Sequence, residues 1–161
     1  MGPATKKSVR KICCSISVSA LSWLLCALPC YASLGGDLSS VRDDQARINA
    51  SLLVTQTSAY SVHELHSPTG QVIREYAAPS GKIFAVTWHG PWAPDLQHLL
   101  GSHFAEFQQA LQSSNRRAAH GPLFVEQGSL VVELGGHMRD FMGRAYLSDQ
   151  LPAGVRAQEI R

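Results

Sequence analysis

The chain has 161 residues, with 14 Lys plus Arg, 12 Asp plus Glu, seven histidines and four cysteines. This is enough for one domain. Four of the basic residues, none of the acidic ones and all four cysteines precede Ser33. The remainder is therefore slightly acidic and cysteine-free, which excludes a disulfide scaffold, a thiolate nucleophile and a Cys-ligated metal. With Lys82 its one lysine and Arg116-Arg117 its one basic pair, it also lacks the clustered positive charge of a nucleic-acid surface.

Residues 1–32 read as a secretory signal peptide. Lys6, Lys7, Arg10 and Lys11 form a positive start, Ile12 to Leu28 an apolar run, and Cys30-Tyr31-Ala32 a small-x-Ala site. Cleavage is expected after Ala32, which predicts a periplasmic or secreted product. The alternative is an uncleaved anchor, since Ile12 to Ala32 nearly matches a bilayer. The leader is then the chain's only contact with a membrane.

Residues 33–50 read as an N-terminal arm or short helix, with Asp37 or Ser39 able to cap it. Residues 51–161 read as one α+β domain. Within it, Leu52 to His66, Gln71 to Ala77 and Lys82 to Trp88 are predicted strands of a β-meander. Ser67-Pro68-Thr69-Gly70 and Ala78-Pro79-Ser80-Gly81 place Pro second and Gly fourth, as a type I turn prefers. Both faces of the third strand are apolar, so it is expected at the centre, covered on both sides.

A long amphipathic helix is predicted from Pro94 to Gln112. Leu96, Leu99, Leu100, Phe104, Phe107 and Leu111 recur along one stripe. Ser113 to Gly121 is polar. Leu123 to Glu126 and Ser129 to Leu134 are predicted strands around Gln127-Gly128, Gly135-Gly136 is a predicted tight turn, and His137 to Leu147 is the last strand. Met138, Phe141, Met142 and Ala145 would also suit a helix face, but the surrounding glycines favour strand. The tail from Ser148 reads as loosely ordered. The expected architecture is an antiparallel sheet of five to six strands with one long helix on a face.

The runs REYAAPSGKIFAVTWHGPWAPDLQHLLG and GPLFVEQGSLVVELGGHMRDFMGRAY, with ASLGGD and LPAGV outside them, resemble a family of small exported proteobacterial proteins, domain of unknown function 2844. The resemblance runs from Ala32 to the end. It implies an exported location, and no activity, cofactor or catalytic residue comes with it.

The residues themselves offer few catalytic signatures. His63-Glu64-Leu65-His66 is one residue short of a zincin motif, and in a strand its two histidines point to opposite faces. No G-x-S-x-G elbow is present. The densest polar cluster is Gly135-Gly136-His137-Met138-Arg139-Asp140. As a site it would bind or turn over an anion through His137, Arg139 and Asp140; as structure it is a hairpin turn needing positive φ. Trp92, held between two prolines in the strand–helix loop, is the candidate binding residue, because aromatics on scaffolded loops are frequent contacts. No metal site and no cofactor are expected. The chain thus reads as an exported non-enzymatic binding or accessory factor of the cell envelope, with an envelope or secreted protein as partner. The alternative is a hydrolase-like or metal-binding enzyme built on His137, Arg139 and Asp140.

Overall fold

The computed structural model describes residues 34–113 and 122–161, together with Gly2. The expected leader, Gly2 apart, and the polar stretch after Ser113 lie outside the described residues. The described part is a seven-stranded antiparallel sheet with helices on one face and the C-terminal tail on the other. Strands β1 (Ser51–Gln56), β2 (Ser61–His66), β3 (Val72–Ala77) and β4 (Ile83–Gly90) form a meander. Helices α2 (Leu96–Leu100) and α3 (Phe104–Ser113) carry the chain across the sheet. Strands β5 (Leu123–Gln127), β6 (Leu130–His137) and β7 (Asp140–Leu147) return, and β7 docks beside β4. The order is β1-β2-β3-β4-β7-β6-β5.

The α+β class holds, and β4 is central and buried on both faces as its mostly apolar sequence demands: Ile83 through Trp88 are all buried. The strand number of five to six is corrected to seven. The expected first strand, Leu52 to His66, is two strands, because Thr57 folds the chain back. Its hydroxyl accepts from the Ala59 and Tyr60 amides and donates to the Tyr60 carbonyl at 2.7 Å. Such a hydroxyl-built turn needs neither Gly nor Pro, so no breaker in the sequence marks it.

The single long helix is also corrected. The helix begins at Leu96 and not at Pro94, and Asp95 caps it: its carboxylate accepts from the His98 amide at 3.1 Å. Gly101, at φ +51°, then ends α2. A short 3-10 turn, Gly101–His103, joins α2 to α3. The apolar stripe survives the break, since Leu99, Leu100 and Phe107 are all buried.

The N-terminal arm forms helix α1 (Leu38–Arg47) on the same face. Asp37 bridges to Lys82, and Leu34 and Val41 enter the main core with Leu65, Ile73, Leu99 and Leu100. The tail from Ser148 is not loose. It folds over the opposite face, where Ile160 joins Tyr76, Phe84 and Ala85. The Tyr76 hydroxyl donates to the Arg161 carbonyl at 2.5 Å, and Arg144 donates to the Ala157 and Ile160 carbonyls. Among the described residues no helix is long and apolar enough to cross a membrane.

Candidate functional site

The Gly135-Gly136 pair is not the hairpin turn. Strand β6 runs on through both glycines to His137, which pairs with Asp140, and Met138-Arg139 make the turn. Arg139 takes a positive φ, +67°, at the second central position, where a type II turn has one. Gly136 is needed for closeness: a Cβ there would meet the Asp140 carbonyl oxygen at 2.0 Å.

This hairpin brings His137 and Asp140 together and recruits His89 from the end of β4. Asp140 Oδ1 lies 2.7 Å from His89 Nε2, and Oδ2 lies 3.5 Å from His137 Nε2. Arg139 stays outside the cluster, exposed in the turn. The readable signal for His89 was its place as the one exposed residue of an otherwise buried strand. Among the described residues no hydroxyl or thiol is hydrogen-bonded to His89 or His137, and no group of three His, Cys, Asp or Glu could hold a metal. The cluster can accept, donate and orient.

His89 and Met142 also line a cavity of about 450 Å³ on the tail-covered face of the sheet. The sheet's alternation explains it. Thr87, His89, Gly135, Met142, Arg144 and Phe124 all project from this face, since cross-strand pairs share a face. The tail covers one end of the face and Ile160 closes that side of the cavity. Gly135 leaves the floor open, its nearest side-chain neighbour being Met142. The lining is chiefly apolar, and Phe124 (53% exposed) and Met142 (44%) stand at the mouth. Three arginines border the cavity: Arg74 pairs with Glu64 and Arg144 with Glu133 at 2.7 Å, while Arg161 is tied through its backbone to the Tyr76 hydroxyl. Burial pushes Glu64 up, but the Arg74 hydrogen bond and charge, helped by His66, hold it below the usual carboxylate range. The sequence did not reveal this cavity, because its walls come from five strands and the tail.

Trp92 is exposed (62%) and lines a smaller cleft of about 140 Å³ with Arg47, Thr69, Gln71 and Asp95. It is not core and is not part of the His89–Asp140 cluster. Behind the cleft is a third group that sequence reasoning missed. Asp44 of α1 and Glu75 of β3 are buried, and Asp44 is hydrogen-bonded to His98 of α2 and to Arg47. Burial pushes the Glu75 carboxyl well above the ordinary value, and the neighbouring Asp44 adds to this. His63, opposite Glu75 in the β2–β3 register, is lowered by burial.

No match to the chain is found among curated proteins or among solved structures. One family model, described as a protein of unknown function, DUF2844, matches residues 30–160 and so covers the whole described fold. The chain belongs to that family.

Proposed function

We propose that the protein is exported, loses its leader after Ala32, and serves in the cell envelope as a binding or accessory factor. The observation that supports this is the open cavity of about 450 Å³ beside Phe124 and Met142. Its size is within the range of small-molecule sites, and those sites are mostly apolar with few polar groups. The chiefly apolar lining favours an uncharged aliphatic group over a free anion. The occupant is the aliphatic part of an envelope component, whether a lipid chain or an apolar side chain of a partner protein.

The test uses the neutral apolar fluorophore N-phenyl-1-naphthylamine with the purified protein. Saturable binding, competed by a medium-chain alcohol, is expected. Gly135→Val should abolish it. Gly135 has no positive φ and has room for a Cβ, so the new side chain fills the cavity without straining the backbone. Binding that is absent, or unaffected by Gly135→Val in a folded variant, overturns the reading. Export is tested separately: intact mass of the envelope product should begin at Ser33, and a product that retains Met1 excludes cleavage.

A further inference from the structure

Natural sheets protect their edges with charge, proline, bulges or a covering element, because an unpaired edge recruits another strand. The two edges of this sheet differ in that respect. Strand β5 carries Glu126 and lies beneath α3. Among the described residues, strand β1 has none of these protections. Its sequence SLLVTQ contains no charge and no proline, and residues 48–62 carry no charged side chain. Its register with β2 runs unbroken from Ser51 to Gln56, so no bulge twists it away. Five of its six residues are exposed, including Leu53 (59%) and Val54 (49%). Among the described residues, no backbone group outside β2 hydrogen-bonds to residues 51–56.

We infer that β1 is an interface with a second copy of this chain, paired antiparallel across a two-fold axis normal to the sheet. The strand's own sequence supports this occupant. Such an axis preserves the two faces, so residues facing each other must come from the same face, and side chains alternate by two. Centring the axis on Leu53 sets Leu53 against Leu53 on the tail face. It sets Leu52 against Val54, twice, on the helix face. All three apolar side chains of the edge are thereby covered, and no like charges meet. The contact is isologous and closes on itself, so it gives a dimer and not a filament. The result is one continuous sheet running through both copies, with the apolar cavities at its far ends. This inference stands apart from the proposed ligand, because β1 does not line the cavity.

The experiment is sedimentation equilibrium on the purified full product, with Leu53 variants. The wild type should shift from monomer to dimer mass with rising concentration, as a small interface dictates. Leu53→Lys and Leu53→Glu should each be monomeric with an unchanged melting temperature. Mixed together they should recover the dimer, because only self-opposition places position 53 against position 53. A wild type monomeric up to about 1 mM, a Leu53→Lys variant that still dimerises, an assembly larger than a dimer, or variants that do not re-associate on mixing overturns the inference.

Discussion

Asp44 and Glu75 bury their carboxyl groups against one another between α1 and the sheet, Asp44 at 1% and Glu75 at 0% exposure. Asp44 Oδ2 and both Glu75 oxygens have no hydrogen-bond donor when the two groups are ionised. Burial is the main reason that Glu75 holds its proton, and a proton shared with Asp44 adds to it. The groups facing the pair are Arg47 on α1, His98 on α2 and His63 on β2. The pair joins the N-terminal helix to the sheet through a polar contact.

The pH dependence of stability follows from the direction of that shift. A carboxyl whose folded-state pKa is raised stabilises fully below its unfolded value, and the contribution is lost as pH rises through the folded value. The melting temperature of wild type should therefore fall, relative to Glu75→Gln, from the ordinary carboxylate range upward. Gln keeps a donor for Asp44 at every pH. The slope of the difference is limited to about 1.4 kcal/mol per pH unit for one proton. Thermal melts of both proteins across pH check this; parallel curves contradict it.

Gly143 faces Trp88 across the β4–β7 register. A Cβ there would meet the indole at 2.3 Å and the Glu133 carbonyl oxygen at 2.5 Å. Gly143→Ala is expected to cost at least about 1–3 kcal/mol, the usual penalty for overpacking, read from urea midpoints. Gly128→Ala, in open space but at positive φ, should cost about 1 kcal/mol from backbone strain alone.

Ile160, 1% exposed, anchors the tail against Tyr76 and Phe84. Ile160→Ala should lower stability by about 2–5 kcal/mol and open the tail to limited proteolysis between Ser148 and Arg161. It should also weaken fluorophore binding, because the same side chain walls the cavity.

Trp92→Ala should leave the melting temperature nearly unchanged, within about 0.5 kcal/mol, as for an exposed surface position. Loss of capture of an envelope partner with retained stability would assign Trp92 to that contact. A large drop in stability would mean the indole packs more than its 62% exposure indicates.

The period-2 and period-3.6 apolar patterns were enough to place β3, β4 and the helical stripe, because those patterns follow from which face each residue must bury, whereas the final strand was read from its glycines. Turns built by Pro and Gly at Pro68-Thr69-Gly70 and Pro79-Ser80-Gly81 were legible for the same local reason. The Thr57 turn was not, since it depends on one hydroxyl reaching the Tyr60 carbonyl. Nor was the Gly101 break, because the stripe continues across it.

The cavity, the His89–Asp140 contact and the Asp44–Glu75 pair lay beyond the sequence for a different reason. Their members are far apart in the chain: Asp44 and Glu75 sit on α1 and β3, His89 and Asp140 on strands made neighbours only when β7 inserts beside β4. Local pattern determined the elements, their apolar faces and the absence of cysteine from the domain. Only the tertiary structure decided which polar groups meet, which edge is left bare and where the sheet is open, because strand order and the path of the tail are set by packing between distant segments.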